Sequence, residues 1–198
     1  MSIDDLVKLD NLWGRTFPYL AAQIMENYQS DSGSVLELGP FSGGISLELA
    51  KLYTGLKITI TDESADVVEH IGKKISASGL EGIEVKRMDL SHLAFGDSRF
   101  DLVVFRGAFF FLDKMGDLLG EIFRVLREGG FAFVGGGHGK GVPQEIIDQI
   151  APELRRLHGK LGGRRVSIAE LAEVVGKSQL TNNCQIVEEG GVWLHIRK

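Results

Sequence analysis

Apolar residues along this chain recur first at helical and then at strand spacing, and the alternation continues to the C terminus. From Asp4 to about Tyr28, Leu6, Leu9, Leu12, Trp13, Phe17, Leu20, Ile24 and Met25 mark one helical face, which Pro18 divides into two predicted helices. The turn-forming run Gln29-Ser30-Asp31-Ser32-Gly33 leads into SVLELG, a short buried-type strand. A helix is predicted from about Gly43 to Tyr53, with Ile45, Leu49 and Leu52 on one face. LKITIT predicts a second strand, ending at Asp62-Glu63-Ser64, where Asp62 or Ser64 can cap a helix carrying Val67, Val68, Ile71 and Ile75. GIEVKRM and FDLVVFR predict the third and fourth strands, with the loop DLSHLAFGDSR between them. The clearest helical repeat is Met115, Leu118, Leu119, Ile122, Phe123 and Leu126, with Glu128-Gly129-Gly130 expected as its C-terminal cap and FAFVGGG as a fifth strand. VPQEIIDQIAPELRRL and SIAELAEVVGKS read as helices, the second with Ser167 and Glu170 at capping-box spacing. The closing CQIVEEGGVWLHIRK reads as two extended runs around a two-residue Gly190-Gly191 turn.

Strands alternating with helices predict an α/β fold: a Rossmann-like sheet of five parallel strands plus a C-terminal antiparallel hairpin, helices on both faces and an N-terminal helical cap. The hairpin points away from a plain dinucleotide-binding fold, which ends in a sixth parallel strand. With 198 residues, 43% of them apolar, one domain can bury its own core. The expected organisation is a single domain over 1–198, with residues 1–30 as cap and 33–198 as core.

Charge and composition narrow the partners. The net charge is -5 and the Lys and Arg residues are scattered, so no basic stripe is present for nucleic acid. The opening MSIDDL is acidic, unlike a secretory signal, and Cys184 is the single cysteine, which together lead to the expectation of a cytoplasmic protein. The apolar run FDLVVFRGAFFFLDKM is interrupted by Asp101, Arg106 and Asp113, so no membrane partner is expected. His70, His92, His158 and His195 lack metal-ligand spacing, and no metal is expected.

The candidate chemistry gathers after the first strand, at Glu37-Leu38-Gly39-Pro40-Phe41-Ser42-Gly43. Glycines let a backbone pass close to a ligand, and a helix start offers free N–H groups. The same turn also serves as a bare strand-to-helix connection. Glu37 suits a cationic ligand and would repel a pyrophosphate. Asp62, 23 residues after Gly39, stands where a carboxylate accepts ribose hydroxyls in open α/β sheets, a spacing shared with NAD enzymes.

With Met88-Asp89-Leu90 after the third strand and the terminal hairpin, the chain from Ser34 to Lys198 resembles the class I S-adenosylmethionine-dependent methyltransferases, most closely their small ubiquinone-biosynthesis-like branch. The family's acidic-x-Gly-x-Gly-x-Gly motif is matched at Glu37, Gly39 and Gly43. The resemblance implies S-adenosyl-L-methionine as cofactor and S-adenosyl-L-homocysteine as product. It places Glu37 by the methionine amino group, Asp62 at the ribose, and Met88, Asp89 and Leu90 around adenine, with Glu63 also among the cofactor-binding residues. Gly39, Phe41 and Gly43 then form the cofactor turn, with Phe105 and Arg106 at the end of the fourth strand. Phe41 departs from the pattern, since an aromatic ring stands where the motif has glycine. The ring must either swing aside and roof the methionine portion or weaken cofactor binding.

The acceptor is less constrained. Asp/Asn-Pro-Pro-aromatic, the signature of amino-group methylation on planar amines, is absent, and Cys184 is misplaced for cytosine-carbon chemistry. Arg106 reads either as an anion clamp, for the methionine carboxylate or an acidic substrate, or as a salt-bridge partner of Asp101 or Asp113. His138, just after the fifth strand, reads as a proton acceptor or as a solvated loop residue. Phe109 to Phe111 read as core, with Phe110 at most at the pocket edge, while Trp13 reads as packing and Tyr19 stays open. The expected function is methyl transfer to a small-molecule acceptor, and a homodimer is compatible with it. The alternatives are a catalytically silent module of the same fold and, more distantly, an NAD-dependent oxidoreductase.

Overall fold

The computed structural model describes residues 3–41, 43–160, 166–178 and 180–198, with the side chains of Ile3, Leu6 and His158 left aside. Ser42 of the glycine-rich turn therefore lies outside the described residues. Seven strands form one sheet in the order β3-β2-β1-β4-β5-β7-β6. The strands are β1 Ser32–Leu38, β2 Gly55–Asp62, β3 Ile83–Arg87, β4 Phe100–Arg106, β5 Leu126–Gly137, β6 Cys184–Val187 and β7 Gly191–Arg197. The first five pair in parallel, and β7 runs antiparallel to both β5 and β6.

Side-chain alternation on β4 divides the core. Leu102 and Val104 face one side with α2 (Phe17–Tyr28), α3 (Gly44–Leu52) and α4 (Ala65–Ser78). Val103 and Phe105 face the other side with α5 (Met115–Val125) and α7 (Ile168–Lys177). All four β4 residues are fully buried, as expected of a central parallel strand covered on both faces. A third, smaller cluster joins α1 (Ile3–Gly14) to α6 (Gln144–Lys160) through Leu9, Ile150, Leu154 and Leu157, with Trp13 and Phe41 packed against it.

The cap is anchored at several points. Asp10 of α1 meets His70 at 3.2 Å and Lys74 at 2.6 Å on α4, and Arg15, just past α1, donates to Gln149 of α6. On α2 the buried Gln23 donates to the Glu189 carbonyl and accepts from the Lys140 amide. These bonds hold α2 to the segment after β5 and to the loop between β6 and β7.

Several boundaries differ from the sequence reading. Glu128-Gly129-Gly130 does not cap α5. That helix ends at Val125, and Leu126–Gly130 belong to β5, in an irregular stretch between the pairs Phe100↔Leu126 and Leu102↔Phe131. Leu126 is fully buried, the Arg99 amide takes the Val125 carbonyl, and Gly129 and Gly130 bond the backbone of Lys198, so β4 and the chain end claim this segment. Gly190-Gly191 is not a two-residue turn either, because Gly191 already pairs with Gly137 of β5 while β6 stops at Val187 opposite Trp193. Leu52, expected on the buried face of its helix, is 64% exposed at the last position of α3. Pro18 sits in the first turn of α2 rather than at the break before it. A short 3-10 segment, Ala108–Lys114, holds the phenylalanine run without a prior signal.

Candidate functional site

The carboxyl ends of β1 and β2 carry two buried acids. Alternation along β1 turns Glu37 to the same side as Val35, toward α3. Its two oxygens accept from the Gly43 and Ser46 amides at 2.8 and 2.7 Å, so the carboxylate caps the start of α3 and is 3% exposed. Burial pushes Glu37 up, while hydrogen bonds from Ser46 and Gly43 and the charge of Arg106 pull it back. Asp62, 4% exposed at the end of β2, accepts from the Phe41 amide at 2.9 Å on one oxygen and from the Ser64 amide at 2.8 Å on the other. Ser64 itself caps α4 by accepting from Val67.

Two glycines make this geometry. A Cβ on Gly39 would lie 2.5 Å from Asp62 Oδ2, so only glycine lets the turn pass that carboxylate. Gly43 has φ 107°, in the left-handed region open to glycine, and a Cβ there would meet Ile71 at 2.9 Å. Phe41 also has positive φ, at 59°. Its ring packs against both the α1–α6 cluster and the core on the α2–α4 side of the sheet, and stands edge-on to Phe110, centroids 6.2 Å apart.

The tip of β3 is tied to the same corner. The Met88 amide donates to the Asp62 carbonyl, and Glu63 accepts from the Leu90 amide at 3.2 Å. The Asp89 side chain is exposed and accepts from both the amide and the hydroxyl of Ser91, which hold it below the usual carboxylate range. Gly39, Phe41, Asp62, Glu63, Met88 and Leu90 thus share one corner, with Glu37 and Gly43 behind them. Asp89 lies between Met88 and Leu90, with its side chain in the turn with Ser91.

A second group lies where β4 and β5 end. Arg106 follows Leu102 and Val104 on their side of β4, pointing toward α2. Its guanidinium carbon lies 3.5 Å from the centroid of the Trp13 ring and 5.9 Å from that of Phe17. Neither expected salt bridge forms: Asp101 is taken by Arg127 at 2.9 Å and by the Ser34 amide, and no Asp113 contact to Arg106 is found among the described residues. The Nε–H of Arg106 is enclosed without a hydrogen-bond partner. Burial pushes the group down to about 9, against the pull of Glu37, so it stays charged at neutral pH. His138 is half-buried rather than a free loop residue, with its ring 5.2 Å from that of Trp13. Burial, then the Arg106 charge, push it below the ordinary histidine value, so its imidazole is neutral near pH 7.

Sequence reasoning missed Trp13 as the platform under Arg106 and Ser46 as a partner of Glu37. The first joins residues 93 positions apart, for which local periodicity carries no signal. The second was foreshadowed by the buried acid, which must find donors. No group of three or more His, Cys, Asp or Glu side chains with metal-binding geometry occurs among the described residues. None of their helices is long and apolar enough to cross a membrane.

Residues 35–130 match a methyltransferase domain family. Over 99 residues the chain is 29% identical to the ubiquinone/menaquinone biosynthesis C-methyltransferase UbiE of Desulfotalea psychrophila, an alignment spanning 50% of this chain and 39% of that protein. A crystal structure from Methanococcus maripaludis, described as a candidate S-adenosyl-L-methionine-dependent methyltransferase, superposes with a TM-score of 0.84 at 26% identity, covering 100% of this chain and 94% of that one. PigF, solved with S-adenosyl-L-homocysteine, superposes at 0.73 with 18% identity over 100% of this chain and 60% of its own, a likeness of fold.

Proposed function

Since the chain belongs to the class I S-adenosyl-L-methionine-dependent methyltransferases, we propose that it methylates a small molecule at the carboxyl ends of β1, β2 and β4, beside the α1–α6 cluster. The observation that carries the cofactor half is the pair of buried carboxylates, Glu37 and Asp62, on neighbouring strands around a glycine turn. The residues fit the group. Both acids are acceptors held at neighbouring strand ends, so Asp62 suits a ribose hydroxyl and Glu37 sets a negative field for a cationic sulfonium. When bound, the cofactor supplies a methyl group already activated on sulfur.

The protein's own part is alignment and exclusion of water. Leu9, Ile150 and Leu154, with Phe41 and Phe110, supply an apolar cover. Neutral His138 can accept the proton that a hydroxyl, amine or thiol acceptor loses on methylation. A small acceptor is supported by the apolar character of the α1–α6 cluster beside Phe41 and by the net charge of -5. The test is incubation with methyl-labelled S-adenosyl-L-methionine and a desalted cell extract to which its own ultrafiltrate is returned. Label is expected in the low-molecular-weight fraction, whereas label confined to protein or nucleic acid overturns the small-acceptor reading.

A further inference from the structure

Arg106 is a cation that this chain holds in place yet leaves unsatisfied. Trp13 covers one face of the guanidinium at 3.5 Å and Phe17 stands 5.9 Å away, so its five N–H groups are left at the edges. None of them meets an acceptor among the described residues, and the Nε–H is shut off from water as well. An enclosed donor with no partner costs free energy, and the cost is larger for a charged group. Glu37, the acid that acts on Arg106, spends its oxygens on α3, and Asp101 on the same strand is spent on Arg127 and Ser34.

We propose that Arg106, stacked on Trp13, is a carboxylate-binding subsite at the end of β4, taking a ligand's carboxylate on the terminal N–H groups, the part of the half-buried guanidinium that remains within reach. This deepens the methyltransferase reading and rests on it. A carboxylate is the planar, singly charged group that accepts two parallel N–H bonds from a guanidinium. A phosphate dianion fits worse, because one cation with Glu37 nearby offers no second positive charge. The surroundings set the rest of the ligand: Trp13 also lies in the apolar α1–α6 cluster with Leu9, Phe41 and Ile146, so the carboxylate belongs to a molecule with an apolar body. Two molecules carry this chemistry, the methionine end of the cofactor and an acidic methyl acceptor. Trp13 then has a task beyond packing, since it preorients the fork and reports its occupancy.

The experiment compares wild type with Arg106→Met, Arg106→Lys and Trp13→Phe, each checked for a cooperative thermal melt. Calorimetry measures S-adenosyl-L-homocysteine against 5′-methylthioadenosine, which has the same nucleoside and thioether but no carboxylate. Thermal shift and Trp13 fluorescence measure acetate, succinate and benzoate against acetamide, succinamide and benzamide, with and without S-adenosyl-L-homocysteine. If the cofactor is the source, Arg106→Met weakens S-adenosyl-L-homocysteine at least tenfold and leaves 5′-methylthioadenosine unchanged. If the acceptor is the source, wild type prefers at least one acid to its amide, Arg106→Met abolishes that preference, and S-adenosyl-L-homocysteine binds as before. In either case Arg106→Lys, which keeps the charge and loses the fork, recovers only part of the affinity. Should Arg106→Met fail to fold, the lysine variant and Trp13→Phe carry the same comparison. Normal S-adenosyl-L-homocysteine binding with neither effect overturns the subsite and leaves the methyltransferase reading standing. Failure of wild type to bind S-adenosyl-L-homocysteine strikes that reading instead, and the acid-against-amide arm without cofactor then decides the subsite.

Discussion

His138 and Arg106 are coupled through charge, and the coupling has a pH signature. Burial and the neighbouring cation lower the histidine, so as pH falls through the ordinary value of about 6.5 the unfolded chain takes up this proton before the folded one does. His138 therefore contributes stability that is fully present above that value and is lost as pH drops through the lower, folded one. Thermal melts between pH 7.5 and 5 should show wild type losing more stability on acidification than His138→Asn, and parallel curves would mean that the residue is solvated. At this scale the sequence was partly readable. Glu37, Gly39 and Asp62 could be named because a carboxylate or glycine at a strand end has few uses. Asp89 was ambiguous because Asp-Leu-Ser is also turn chemistry, and its side chain indeed lies on Ser91. The stacking of Arg106 on Trp13 could not be foreseen, because it depends on where α1 crosses the sheet.

The elements meet most tightly where α2 faces α3. A Cβ on Gly44 would fall 2.0 Å from the Phe17 ring, with no room for the overlap. Gly44→Ala should therefore destabilise the protein by about 1–3 kcal/mol in chemical denaturation, and Phe17→Leu in the same background should restore part of the loss. A neutral Gly44→Ala would mean that α2 sits farther from α3 than described. The contact also matters to the site, since Phe17 flanks Arg106 and Gly44 opens the helix that Glu37 caps. Helix and strand identities were readable from periodicity, because each element buries one face or both against a neighbour. Its failures fall where tertiary pairing overrides local chemistry. The glycines after α5 look like a helix stop, but β4 and Lys198 offer backbone partners and draw the segment into the sheet. Gly190-Gly191 resembles a hairpin turn, but β7 extends along β5 past the end of β6.

For the molecule as a whole, five parallel strands and an antiparallel end leave one sheet edge, that of the carboxyl ends, where Glu37, Asp62, Arg106 and His138 gather from strands or segments far apart in sequence. That convergence was readable from element order, whereas the pairing of α1 with α6 was not, since periodicity marks the apolar faces of Leu9, Leu12 and Trp13 and of Ile146, Ile150, Leu154 and Leu157 without naming the partner each meets. The most direct test of the site is titration calorimetry of S-adenosyl-L-homocysteine into wild type and Asp62→Ala, with NADH as control. Binding of one ligand per chain, at least tenfold weaker in the variant, with no heat from NADH, is the expected result. No heat from S-adenosyl-L-homocysteine at millimolar concentration, or equal affinity in the folded variant, would contradict the placement of the cofactor between the buried acids.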